Sequence, residues 1–276
     1  HSLFATLVAQ HVATTNPSIK EAVEYWENNP QDSTLISMLE KNQDLKIGTL
    51  LASPWIKDSQ EQTLRMQQIS QLFNEDLMSR KIDAIVKKLT DLQMPDGGWT
   101  WYRYNGSESS LFTTMEVLQL LGKAKELNAL PNDRKDINEM LVNGVKYLDK
   151  ELIEIYNMQK DKLDFTGFSD FAYTRSFFPE IQKSITVNGL YQKIFTAMRS
   201  EWRQMNAAGK AFTAITLSKN AETKTAETII ESLRQFSITK PASGMYWDNL
   251  QVGWYRYYNK VAITSILLEA FNKVEP

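Results

Sequence analysis

The chain has 276 residues with Lys+Arg 31 against Asp+Glu 33, a net charge of −2, so nothing in it attracts a polyanion and nucleic-acid binding is disfavoured. Cys 0 removes disulfides, thiolate zinc sites, cysteine nucleophiles and any thioester formed within this chain. A mean hydropathy of −0.39, with no apolar run near the ~18 residues needed to cross a bilayer, argues against a membrane span.

In chain order, helical periodicity dominates. His1 to Val8 starts at once on helix-period apolar residues without an initiator methionine, which predicts a fragment of a much larger protein whose targeting signal would lie upstream. Leu3, Leu7, Val8 and Val12 share one stripe. Asn16-Pro17 then opens a second helix carrying Ile19, Ala22, Val23 and Trp26, stopped by Asn28-Asn29-Pro30. Ser33 begins a third with Leu35, Ile36 and Leu39, and residues 45–55, with Gly48 and Pro54, read as an irregular connector. From Ser59 the chain is helical again, with a break near Asn74 followed by Leu77, Ile82, Ile85, Val86, Leu89 and Leu92 at spacings of three and four. Further helices are predicted over 109–127, 133–156, 171–177, 184–205, 207–217, 221–236 and 260–274. Short extended pieces are predicted only around 99–104 and 246–258. The fold class is therefore all-α, and no linker-like or low-complexity segment divides residues 1–276, which read as a single domain.

The most specific feature is an internal repeat. Asp96-Gly97-Gly98-Trp99-Thr100 leads into Trp101-Tyr102-Arg103-Tyr104-Asn105, and Gly244-Met245-Tyr246-Trp247-Asp248 leads into Gly253-Trp254-Tyr255-Arg256-Tyr257-Tyr258-Asn259. Each copy follows a helix, passes through a glycine turn, runs through aromatics and enters another helix marked by Thr113-Thr114-x-x-Val117-Leu118 or Thr264-x-x-Leu267-Leu268. Glycine supplies the positive φ that ends a helix, and Trp99 or Trp247 folds back onto the helix end as a wedge. Helix pairs joined this way bury their apolar faces by stacking into a solenoid or a closed ring. The runs Trp101-Tyr102-Arg103-Tyr104 and Trp254-Tyr255-Arg256-Tyr257 have two readings: aromatics buried over helix ends with the arginine on helix carbonyls, or an interaction surface of hot-spot composition.

Gln93-Met94-Pro95-Asp96-Gly97-Gly98-Trp99 resembles the Gln-x-x-Asp-Gly-x-Trp signature of the α/α-toroid superfamily, which includes terpene cyclases, protein prenyltransferases and the thioester domains of alpha-macroglobulins and complement. Within it, Asp96 to Thr100 with the downstream Thr113, Val117 and Leu118 looks most like the thioester domain of bacterial alpha-macroglobulins. Ala172-Tyr173-x-Arg175-Ser176-Phe177 and the ending through Thr264, Leu267, Leu268, Glu269, Ala270 and Phe271 are similar to later parts of that domain. The resemblance implies an α/α toroid, incomplete or irregular, in an extracytoplasmic location such as the periplasm or cell envelope. Its partners would be the neighbouring domains of the parent chain and the proteases that the parent traps or inhibits. The Cys-x-Glu-Gln motif of thioester-bearing relatives is not present in this chain, so the role implied is non-covalent and structural rather than catalytic.

Chemistry is sparse. His1 and His11 are the only histidines and have no ligand pattern around them, so no metal and no cofactor are expected. The Cys/His/Asp zinc site of a prenyltransferase and the Asp-rich clusters of terpene cyclases are missing from the sequence. Asp96, Asp170 and Asp248 leave one alternative, a carbohydrate-active enzyme on an α/α barrel, with acidic residues at the toroid mouth and aromatic rings against sugars. Gln93, Asp96, Gly97, Gly98, Trp99, Gly244 and Trp247 are assigned to the repeat turns.

Overall fold

A computed structural model describes residues 2–16, 18, 21, 25, 75–104, 106–131, 134–241, 244–248, 250 and 259–275. The second and third predicted helices, apart from isolated positions in the second, and the 45–55 connector lie outside them. So do the break near Asn74 and the second aromatic run with Trp254, Tyr255, Arg256 and Tyr257. The described residues are mostly helical: α1 (Ser2–Thr15), α2 (Glu75–Leu92), α3 (Leu111–Glu126), α4 (Lys135–Gln159), α5 (Ser169–Ser176), α6 (Ile185–Ser200), α7 (Ala207–Lys219), α8 (Thr223–Gln235) and α9 (Lys260–Val274). Strands β1 (Ile238–Lys240) and β2 (Gly244–Tyr246) form an antiparallel hairpin in which Ile238 faces Tyr246 and Lys240 faces Gly244.

The chain divides into two compact units, the first of residues 1–95, 99–109 and 117–141, the second of 96–98, 110–116 and 142–276. In the first, α1 meets α2. The stripe of α2 is Met78, Ile82 and Val86, each at most 3% exposed, four residues apart as one helix face demands. Leu3, Leu7 and Ala13 of α1 are likewise buried.

In the second unit α7 contacts α5, α8 and α9. Its sequence explains that place. Ala208, Ala211, Phe212, Thr213, Ala214, Ile215, Thr216 and Leu217 are all buried, so the helix has no polar face and its small residues let neighbours approach. By contrast α8 is amphipathic, burying Ala226, Ile229, Ile230 and Leu233 and leaving its other side to solvent. Rings fill the spaces around α5: Tyr173 lies 4.8 Å from Phe212 and 5.0 Å from Phe177, and Phe168 lies 5.3 Å from Phe171. Helix starts are capped where short polar side chains precede them. Ser184 accepts from Val187 N at 3.2 Å, Asn206 from Gly209 N at 2.8 Å and Asn259 from Ala262 N at 2.8 Å.

Some predicted boundaries move for local reasons. The helix expected over 184–205 ends at Ser200 and continues as a 3-10 turn, Trp202–Gln204. The helix expected from Ala221 starts at Thr223, because Ala221 takes a φ of 61° in the turn that closes α7. Of the predicted extended pieces, Trp99 forms a bridge with Gln93 while residues 101–104 form no strand, and β2 reaches Tyr246, with residues 249 and 251–258 outside the described residues; β1 lies outside both predicted pieces.

Candidate functional site

The two repeat turns share a joint. In the first, Gln93 and Trp99 form an isolated antiparallel bridge after α2, Gly97 has a φ of 93°, and Gly98 N donates to Asp96 Oδ1 at 3.1 Å. Trp99, 1% exposed, donates its indole N–H to the carbonyl of Leu89 in the last turn of α2 at 3.0 Å. In the second, the β1–β2 hairpin follows α8, Gly244 has a φ of 68°, and buried Trp247 donates to the carbonyl of Leu233 in the last turn of α8 at 2.8 Å. Each tryptophan thus donates to a carbonyl in the last turn of the helix before it, although Leu89 O is shared with Gln93 N, which donates to it at 3.1 Å.

The glycines differ in what they permit. A Cβ on Gly97 would stand 2.4 Å from Asn143 O, so the turn carrying it is pressed onto the α4 backbone. A Cβ on Gly244 would meet nothing within 4 Å. Gln93 anchors the first turn further by donating its side-chain amide to Met140 O at 2.9 Å.

The first aromatic run is on the surface: Trp101 is 62%, Tyr102 71% and Tyr104 70% exposed. Its backbone is nevertheless ordered by hydroxyls. Thr100 donates to Tyr102 O at 2.8 Å, and Ser107 Oγ accepts from Tyr104 N at 2.7 Å while lying 3.0 Å from Tyr102 O. Arg103 donates to Asp91 O at the end of α2, so the arginine takes the helix-carbonyl role while the rings take the exposed one.

The three aspartates differ in their surroundings. Asp96 and Asp248 are exposed, and Asp96 is used by its own turn. Asp170, 3% exposed, lines a pocket with Ser169 and Asn206, and no other carboxylate lines it. Among the described residues no group of three or more His, Cys, Asp or Glu is arranged to hold a metal ion. No helix of the described residues is long and apolar enough to cross a membrane.

Sequence reasoning missed a buried polar network around Arg175. Its guanidinium is 2% exposed; it donates to the carbonyls of Phe178 and Ile181, and Nε stands 3.3 Å from Asp149 Oδ1 on α4. Burial raises the Asp149 pKa against the opposing pull of Arg175, and burial together with the adjacent carboxylate raises the Tyr191 phenol well above its ordinary value. Burial, aided by Arg175, lowers Lys183. Asp149 Oδ1 and the Tyr191 hydroxyl have no ordinary hydrogen-bond partner among the described residues. The available signal was an arginine set inside the apolar stretch Phe171 to Phe178, which has either to snorkel or to find a buried partner. A second missed contact is Tyr173 Oη donating to Glu269 Oε1 at 2.6 Å, tying α5 to α9.

No protein-family model matches this chain, and no curated protein matches it either.

Proposed function

We propose that the chain is a thioester-type α/α-toroid domain of a bacterial alpha-macroglobulin-like protein, one continuous structural module built from helix-turn-helix repeats. The observation that supports this reading is the recurrence of one joint. A positive-φ glycine turn leads to a buried tryptophan whose indole N–H closes the last turn of the preceding helix, at Trp99 with Leu89 and again at Trp247 with Leu233. Repeats that use one joint twice are the economical way to stack helix pairs.

In this reading the domain serves the parent as a rigid body that lies against neighbouring domains and moves when the parent is cleaved. Its partners are those domains and, through the parent, proteases met in the periplasm or cell envelope. With Cys 0, this chain contributes no thioester, and capture of a protease is non-covalent as far as these residues are concerned. The domain catalyses nothing and needs no cofactor.

The test is a trapping assay on the protein that carries this domain, incubated with proteases of different specificity. Digestion of a large protein substrate is expected to fall while a small peptide substrate is still cleaved, and the protease is expected to separate from the inhibitor on a denaturing gel. Undiminished digestion of the large substrate would overturn the proposal.

A further inference from the structure

A pocket of about 450 Å³ is bounded by segments 166–170 and 204–212, where α5 and α7 both begin, and neither the repeat joints nor the Arg175 network uses it. Its volume is in the range of ~300–1,000 Å³ typical of small-molecule sites. Ser169, 4% exposed, lines it, and its hydroxyl makes no side-chain hydrogen bond among the described residues. That oxygen is not sealed from solvent and opens on the pocket, where a bound group can meet it.

The lining decides the ligand's chemistry. None of the described residues lining the pocket is basic, and Asp170 contributes a carboxylate. The start of α7 is capped by Asn206 Oδ1, which accepts from Gly209 N at 2.8 Å, and the first turn of α5 already holds a carboxylate, Asp170, whose Oδ1 accepts from Phe171 N at 2.9 Å. An anion therefore finds no positive side chain, a capped start at α7 and a repelling carboxylate at the start of α5. What remains is uncharged and two-sided: the Ser169 hydroxyl inside, the exposed primary amides of Gln204 and Asn206, and the ring of Phe212 as an apolar wall. Hydroxyls and primary amides both donate and accept, which matches a ligand whose groups do the same within one compact ring. A peptide main chain, with donors and acceptors alternating along an extended line, is better served by a sheet edge, and neither bounding segment is a strand.

We propose that this pocket binds an uncharged sugar, one ring at a time, with the Ser169 hydroxyl as its innermost polar contact. The proposal is independent of the protease-trapping role, since a domain of either function would carry it.

The experiment is an NMR titration of the ¹⁵N-labelled chain with methyl glycosides of glucose, mannose and galactose, and with N-acetylglucosamine. Inorganic phosphate and trialanine amide serve as the competing classes. Saturable shifts confined to amides of residues 166–171 and 204–212 are expected for at least one sugar and for neither competitor. Ser169→Ala is expected to weaken that sugar about two- to tenfold, the loss of one hydrogen bond. Gly167→Leu blocks the pocket: Gly167 lines it, is not in the left-handed region, and a Cβ there meets nothing within 4 Å. This variant is expected to keep the spectrum of the folded chain and lose the sugar shifts. The proposal is overturned by absent shifts with every sugar at about 50 mM, by binding unchanged in folded Gly167→Leu, or by saturation with phosphate or peptide in place of sugar.

Discussion

Trp247 hands its indole N–H to the carbonyl of Leu233 at 2.8 Å, closing the end of α8 from a turn fourteen residues further along the chain. Trp99 donates likewise to Leu89 O at the end of α2, a carbonyl that also accepts from Gln93 N at 3.1 Å. A carbonyl in the last turn of a helix that no backbone N–H reaches must, when buried, be satisfied from outside or lose its solvation uncompensated.

Trp99→Phe and Trp247→Phe keep most of the ring but remove the donor. Trp247→Phe is expected to destabilise by about 1–3 kcal/mol, the cost of leaving a buried carbonyl unmet, and Trp99→Phe by about 0.5–1.5 kcal/mol, since Leu89 O keeps Gln93 N as a donor. Urea unfolding followed by circular dichroism measures both, and the larger loss is expected at Trp247.

Gly97 and Gly244 separate two costs that sequence reading treats alike. Gly244→Ala meets open space and bears only the left-handed penalty, about 1–2 kcal/mol. Gly97→Ala bears that penalty and also drives a Cβ to 2.4 Å from Asn143 O, so it is expected to lose more than Gly244→Ala by a margin that thermal unfolding resolves.

Arg175 and Asp149 form an ion pair with side-chain exposures of 1% and 11%. Arg175→Leu leaves the Asp149 carboxylate buried without its cation and is expected to cost about 3–5 kcal/mol. Adding Asp149→Leu removes the stranded charge and is expected to recover part of that loss. A double-mutant cycle of unfolding free energies reads the coupling.

Two carboxylates give opposite pH responses. Burial holds the folded Asp149 pKa above its ordinary 3.8, so the folded state takes up that proton first, and stability from this residue rises as pH falls toward 3.8. Hydrogen bonds from Arg199, 2.6–2.9 Å long, hold Glu222 below its ordinary 4.5. Stability from Glu222 is therefore present above pH 4.5 and lost as pH falls through its folded value. This half-exposed pair is worth about 0.2–1 kcal/mol. On acidification from pH 7, Asp149→Asn is expected to lose ground to the unmodified chain and Glu222→Gln to gain on it. Urea midpoints measured against pH test both signs.

The helices were legible because their signal is local. Period-3.6 stripes announce a buried face whatever it is buried against, as Ile82 and Val86 do, although Met78 and not the predicted Leu77 is the buried residue at the start of α2. The likeness of the two tryptophan turns was equally readable, since each is written within about ten residues.

Residues far apart in the chain settled the rest. Arg175 meets a carboxylate 26 positions away and Tyr173 one 96 positions away, and periodicity is blind to both. Whether Trp101, Tyr102 and Tyr104 were core or surface depended on what lies over them, which composition does not encode. Likewise Ser169 is an ordinary helix-start serine in the sequence; it becomes a withdrawn hydroxyl in a pocket only because the start of α7 lies beside that of α5. Side-chain chemistry and local spacing are properties of the chain, whereas burial and partnership are properties of the assembled fold.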